Sequence, residues 1–493
     1  MSQRRGGGSG TASTGPGTAP TGPLYQRLPR GPHKLGPTQV ARHQRLRMHG
    51  AMVEAVAANG YAQTSVKQII ALAGVSRRAF YEQFANKEEC FLATFDLLAA
   101  RGARQVSDAY RAAPGDLEQR LRAGFGVLTD GIESDAKGAC LTIVEAQTAG
   151  AAALAHVRQA TATFERMLSA SFAHAPETQQ LPVPVVRAIV GGMHEAISVR
   201  LREERSEEIP ALRQEMLGWT LLFQTPRLGR LSRRLLAQAR SGSSRCAPER
   251  NGRPPSRAGL RERLLASVLE LAAVGNYDEL SAPQIAQEAG VPIEAFLELF
   301  DSKEECFLAA FDELGYELLL IAADPGLVSD DWPHAVRRAI GELMSLLAAR
   351  PLYARTIACT APGAGARALA RDFALSHDIA TLLTEGAPRR ARNRLAGEGV
   401  AGALWHTIRC QVVSGQIHLL PVLADYLAYV VLAPFIGADA AAEVVLEDAG
   451  SSPAARPSPA DSRDRASASA VSPSGGPRDS SALSRPAARS RSR

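Results

Sequence analysis

A repeat limits what this chain can fold into more than any other feature. Positions 60–91 recur 216 residues further along the 493-residue sequence, with 16 of the 32 positions identical. Tyr61 corresponds to Tyr277, Gly74 to Gly290, Phe84 to Phe300 and Lys87 to Lys303. The likeness continues beyond these segments: Gly191, Pro210 and Leu212 return as Gly402, Pro421 and Leu423 at an offset of 211, a net loss of five residues in between. A chain this long exceeds one ordinary hydrophobic core. It is therefore expected to build one unit of about 200 residues twice.

The repeated stretch has a legible local pattern. Ile69, Ile70 and Ala73 form an apolar stripe at helical spacing, Gly74-Val75 breaks it, and a second stripe runs from Ala79-Phe80 to Phe84. Two short helices joined by a glycine turn predict a helix-turn-helix, whose second helix can enter the DNA major groove. The outer face of that helix carries Ser76, Arg77, Arg78 and Tyr81, and Lys87 follows it. Arginine can bond guanine O6 and N7 together, while lysine, serine and tyrosine hold phosphates. An arginine pair alone more often just solvates a helix; here turn, stripes and basic face coincide.

The segment GYAQTSVKQIIALAGVSRRAFYEQFANKEECF resembles the DNA-binding head of the TetR family of bacterial transcriptional regulators. The match spans roughly residues 42–95. It rests on Gly60-Tyr61, Thr64-Ser65, Ala73-Gly74-Val75-Ser76, Phe80-Tyr81, Phe84 and Lys87-Glu88. The resemblance implies base contacts from Lys67, Arg77 and Arg78 and phosphate contacts from Ser65, Tyr81 and Lys87. Glu82 departs from a groove-friendly residue and stays outside that set. The resemblance further implies an operator duplex as partner, a small-molecule effector held by a helical regulatory domain, and repression as the usual mode. It also implies dimerisation through the last two helices of each regulatory domain. The apolar pairs 183–223 and 392–436 are expected to supply these helices, either as a homodimer between chains or as a pseudo-dimer within one.

The second copy keeps its core and loses its contacts. Ala295, Phe296 and Phe300 repeat the stripe, but Ser76, Arg77, Arg78 and Tyr81 become Pro292, Ile293, Glu294 and Leu297, and Lys67 becomes Pro283. Residues 41–90 hold seven Lys/Arg and four Glu, net +3; residues 257–306 hold four Lys/Arg and ten Asp/Glu, net −6. Affinity for a duplex comes largely from neutralising phosphates. The first head is thus expected to read DNA and the second is not.

The fold class is all-α, two tandem units. The expected order is a disordered basic tail (1–39), a DNA-binding head (40–95), a regulatory domain (96–240) and a linker (241–256). A degenerate head (257–311), a second regulatory domain (312–445) and a disordered basic tail (446–493) follow. Residues 1–39 carry +5 and residues 451–493 another +5 of the +6 total, which leaves −4 for the rest. Helices are expected at 42–59, 88–110, 117–134, 137–148, 151–173, 183–204 and 207–223.

Other function classes lack a basis. There is no G-x-S-x-G, no phosphate-cradling glycine loop and no recognisable carboxylate pair, so no catalytic residue or cofactor is expected. Six scattered cysteines include no C-x-x-C pair, which fits a reduced cytoplasmic compartment, and no metal ligands are assigned. Leu419–Gly437 is apolar enough to mimic a membrane span, but Pro421, Asp425 and Pro434 point instead to a buried helix at a subunit contact. His156 and His194 in the first unit and Trp405 and His406 in the second are the polar candidates for an effector pocket. The rival to a regulator is a non-catalytic interaction protein whose acidic second head docks a protein partner.

Overall fold

A computed structural model describes residues 37–173, 180–241, 257–274, 277–328, 331–361, 364–388 and 394–447. All regular elements among them are helices. The first half begins with α1 (Pro37–Gln63), α2 (Val66–Ala73), α3 (Arg77–Tyr81) and α4 (Lys87–Ala112). Its body continues with α5 (Leu117–Ser134), α6 (Ala136–Ile143), α7 (Ala151–Ala173), α8 (Val183–Arg202), α9 (Leu212–Leu222) and α10 (Leu228–Ser241). The second half repeats the order with α11 (Arg257–Val274), α12 (Ala282–Ala289), α13 (Ile293–Leu299), α14 (Lys303–Ala322) and α15 (Trp332–Ala349). It ends with α16 (Pro351–Arg355), α17 (Ala366–Thr384), α18 (Arg394–Val413), α19 (Leu420–Ile436) and α20 (Ala438–Leu446).

Local chemistry sets the boundaries. Asn86 starts α4 by accepting the Glu89 amide at 2.8 Å, and Glu88 and Glu89 sit in the first turn, where the helix dipole favours acids. Asp116 and Gln119 cap α5 reciprocally. The expected helices at 117–134 and 151–173 have those bounds. Two others divide: 137–148 becomes α6 plus a 3-10 turn at Glu145–Gln147, and 207–223 opens as a 3-10 segment, Ser206–Ala211, which holds Pro210. The first helix starts at Pro37, earlier than the expected Arg42, so the tail boundary at 39 falls inside it. The expected disordered tails and linker otherwise lie outside the described residues.

The halves meet through α8 and α18. Small residues let the backbones approach: Gly191 faces Gly402. The Trp219 ring lies between Gly192 and Gly399, with its indole donating to the Ile189 carbonyl at 3.2 Å. Fully buried Arg200 reaches Glu398 of the other half at 2.6 Å. Tyr429 of α19 donates to the Phe223 carbonyl at 2.9 Å. At the outer end Arg227 pairs with Asp439 at 2.7 Å and Glu443 at 2.6 Å. The apolar stretch Ile417–Ile436, which contains α19 and is long enough to cross a bilayer, is mostly buried in this bundle.

One continuous core runs from Leu121 to Val445 and takes in both bodies and the second head. The first head has a separate core, built on Met48, Met52, Phe80, Phe84 and Phe91, and touches its body chiefly through Leu141, Ala146, Ala149 and Ala153. The two heads thus differ in attachment as well as in charge.

Candidate nucleic-acid interface and effector cavity

The first helix-turn-helix is built by a few specific contacts. Ser65 and Gln68 cap α2 reciprocally, with the Ser65 amide donating to Gln68 Oε1 at 2.7 Å. Gly74 ends α2 in the left-handed region (φ 59°), which glycine adopts without strain. Arg47 fastens the turn by donating to the Gly74 carbonyl at 2.9 Å and to that of Ala73. Ser76 caps α3 by accepting the Ala79 amide at 3.1 Å. Phe80 and Phe84 are buried, which rolls the opposite face of α3 outward.

That face is open. Arg77 lies over the Tyr81 ring with 5.6 Å to its centre, and Tyr81 is 45% exposed. The Arg78 side chain is 89% exposed and pairs with Glu82 at 2.8 Å, which raises its pKa. Of the expected contact residues, Arg77, Arg78 and Tyr81 share this open face of α3, and Lys67 is exposed on α2. Ser65 and Ser76 are exposed at helix starts, their hydroxyls also engaged in capping.

Lys87 is placed differently. Its ammonium donates to the Tyr61 carbonyl at 3.0 Å and lies 4.2 Å from the centre of the Tyr61 ring, and burial lowers its pKa. Lys303 repeats both contacts with Tyr277, at 2.9 Å and 4.8 Å. A lysine kept in both heads, one basic and one acidic, is accounted for by this internal contact.

The second head has the same frame. Ser281 and Gln284 form the cap, Gly290 has φ 60°, and Arg263 donates to the Gly290 carbonyl at 2.9 Å. Phe296 and Phe300 are buried. The exposed face of α13 presents Glu294, Leu297 and Glu298 instead of a basic set.

A cavity of about 1320 Å³ lies in the first body. Phe95, Val106, Tyr110, Phe125, Phe164, Leu168, Met193 and Ile197 line it, and Arg101, Arg111 and Arg120 also border it. Of the four polar candidates only His194 lines this cavity; burial, with His406 and Arg409 close by, pushes its pKa down to about 3. His156 instead bonds Asp96 at 2.6 Å. Trp405 donates to Asp372 at 3.0 Å, and His406 bonds Glu165 at 2.7 Å. A space of about 10 Å³ in the second body is lined by Leu318, Ile340, Leu343 and Trp405 among others. One difference is readable in sequence: seven residues past Phe95 stands Gly102, with open space where a Cβ would go, and seven past Phe311 stands fully buried Leu318.

A further set of side chains escaped the sequence reading. Glu165, His406 and Cys410 bring three metal-capable atoms within 4.8 Å of one another. His406 and Cys410 are four apart on α18, a spacing visible in sequence, but Glu165 lies 241 residues away and only packing brings it there.

A family match falls on both heads. The family described as bacterial regulatory proteins, tetR family, matches residues 51–94 and 264–310. No curated protein matches the chain. Among solved structures, the fatty acid degradation regulator FadR from Bacillus halodurans is 20% identical, with 36% of this chain and 96% of that one covered (TM-score 0.33). FadR from Bacillus subtilis, in complex with stearoyl-CoA, is 18% identical over 36% and 97% (TM-score 0.33). A TetR family regulator from Marinobacter aquaeolei VT8 is 19% identical over 36% and 96% (TM-score 0.31). The tetR-family DNA-binding head is thus present twice in this chain, at residues 51–94 and 264–310, each time ahead of a helical body.

Proposed function

We propose that the chain is an effector-responsive repressor that grips its operator through the first helix-turn-helix alone. The observation that carries this reading is the contrast between two heads with one backbone. Arg77, Arg78, Tyr81 and Lys67 stand exposed on the first, whereas Glu294, Leu297 and Glu298 stand on the second. A face of that charge repels phosphates. The α8/α18 contact then acts as a built-in dimer interface, so one chain offers one competent head. A two-fold operator, with half-sites one helical turn apart, engages two chains.

The effector belongs in the first body. Its cavity exceeds the ~300–1,000 Å³ of common small-molecule sites, and its wall is mainly apolar with arginines at the border. That chemistry suits a long hydrocarbon chain ending in an anion. The first head shares its core only with Leu141, Ala146, Ala149 and Ala153 of its body, whereas the second lies within the main core, so the effector is taken to act on the first. An effector acts only through its different affinity for the two arrangements.

The test is retention of operator DNA, selected from random duplexes, by the full chain. Arg77→Glu with Arg78→Glu should abolish retention, and oleate or stearoyl-CoA should release DNA from the unaltered protein. Retention that survives the double substitution but is lost on changing Glu294 and Glu298 would overturn the assignment of heads. Leu297, 58% exposed on the acidic helix, favours one second reading, a protein-docking role for the second head. In that case Leu297→Ser would remove a partner without changing DNA affinity.

A further inference from the structure

Glu165 on α7 of the first half and His406 and Cys410 on α18 of the second converge across the junction of the halves. Glu165 Oε1 is 2.7 Å from His406 Nε2, and His406 Nε2 is 3.5 Å from Cys410 Sγ. Around a tetrahedral zinc-like ion, with bonds of about 2.0–2.1 Å to nitrogen and 2.3 Å to sulfur, the nitrogen and sulfur ligands stand roughly 3.5 Å apart. The helix therefore already holds the His406/Cys410 pair at ligand spacing. The carboxylate, now hydrogen-bonded, needs to withdraw by roughly half an ångström to reach its own ligand position.

We propose that these three side chains form a binding site for a zinc-class transition-metal ion that fastens the two halves of the chain together. The donor set selects the ion: one sulfur, one imidazole nitrogen and one carboxylate suit zinc or cobalt, whereas magnesium and calcium need oxygen shells. The charges match, since a thiolate and a carboxylate neutralise a dication and the imidazole binds as the neutral ring. The Glu165 and His406 side chains are largely buried, 13% and 19% exposed. Arg187 Nε lies 3.5 Å from the second Glu165 oxygen, an ion pair without a hydrogen bond. Other nearby cations are compensated: Arg202 pairs with Glu195 at 2.9 Å and Arg409 with Asp372 at 3.1 Å. Among the described residues no other three such groups converge.

The position has a consequence for the cavity. Phe164 and Leu168 flank Glu165 on α7 and line the effector space. An ion on Glu165 therefore pins one cavity wall to the opposite half.

Cobalt is the probe. The chelator-stripped full chain, titrated with Co²⁺, should develop a thiolate-to-cobalt charge-transfer band that saturates at one ion per chain and vanishes when Zn²⁺ is added. Cys410→Ser should abolish the band and Cys140→Ser should leave it. Zinc should raise the thermal midpoint of the unaltered protein and leave that of Cys410→Ser where it is, with circular dichroism confirming that the variant folds. Absence of the band, its persistence in Cys410→Ser, or an equal zinc shift in that variant overturns the site. None of these readouts involves DNA or effector, so the site and the repressor reading fail separately.

Discussion

Gly191 and Gly402 press against each other's backbone where α8 crosses α18: a Cβ on Gly191 would stand 2.6 Å from the Gly402 carbonyl oxygen, and one on Gly402 would stand 2.5 Å from Glu195 Cβ. They occupy the same position in the two repeats, so the contact is self-complementary, as at a two-fold dimer interface. Here it lies within one chain. Neither obstacle is the free end of a flexible side chain, so the helices have to separate to admit a methyl group. Gly402→Ala should cost roughly 1–3 kcal/mol by overpacking. Gly397→Ala, on the same helix with open space around it, should be neutral or stabilising by up to about 1 kcal/mol. Urea unfolding of the two variants gives the comparison.

On the reading face, Arg77→Ala should cost about 1–3 kcal/mol of operator affinity if the guanidinium pairs with a base. Ala replacements at Ile293 and Glu294 should change affinity by less than experimental error. Fluorescence anisotropy at several salt concentrations reads both the loss and the slope.

Lys87 and Lys303 should behave alike. Each ammonium holds a tyrosine carbonyl in its own head. Lys87→Met should lower stability by about 1 kcal/mol while leaving the salt slope of DNA binding unchanged. A slope smaller by about one would show that Lys87 neutralises a phosphate after all. Lys303→Met should match it in stability.

Acid should loosen the first head before the second. His49 is buried with its Nδ1 2.7 Å from the Thr94 hydroxyl, and burial, aided by Arg45, lowers its pKa from 6.5 to about 4. The folded head keeps the ring neutral, while the unfolded chain takes up a proton below pH 6.5. Stability is therefore full above that pH and is lost as pH falls from 6.5 to about 4, by at most roughly 3 kcal/mol. At the corresponding positions the second head has buried Leu265 and Ala310. His49→Leu with Thr94→Ala should remove the acid sensitivity, as followed by hydrogen exchange of α1 amides between pH 4.5 and 7.5.

Gly102→Leu introduces into the first cavity the residue that the second body carries at Leu318. Since nothing lies within 4 Å of a Cβ at Gly102, the fold should be kept and the space reduced. Calorimetric affinity for oleate should fall at least about tenfold, on the order of 1.4 kcal/mol, with the unfolding midpoint unchanged or raised.

Much of the architecture was legible because it is written locally. The stripes of Ile69, Ala73, Phe80 and Phe84, the glycine at 74 and the serine caps depend on neighbours within a few residues, and the repeat announced the second head. What the sequence leaves open is the partner of each polar side chain. His156, Trp405 and His406 look like pocket residues as isolated letters, yet they are bound to Asp96, Asp372 and Glu165. For Lys87, nothing in its own segment marks the Tyr61 carbonyl, 26 residues back, as a partner.

Helix periodicity, turn chemistry and net charge are short-range properties, and by themselves they determined the all-helical class, the doubled unit and the loss of basic residues from the second reading helix. Tertiary structure alone decided that the halves join through Gly191 and Gly402, that a cavity of about 1320 Å³ opens in the first body, and that Glu165 reaches His406 and Cys410. Those outcomes depend on which surfaces meet after the chain has folded back over some 200 residues, and volume and distance at such contacts leave no local periodicity to read.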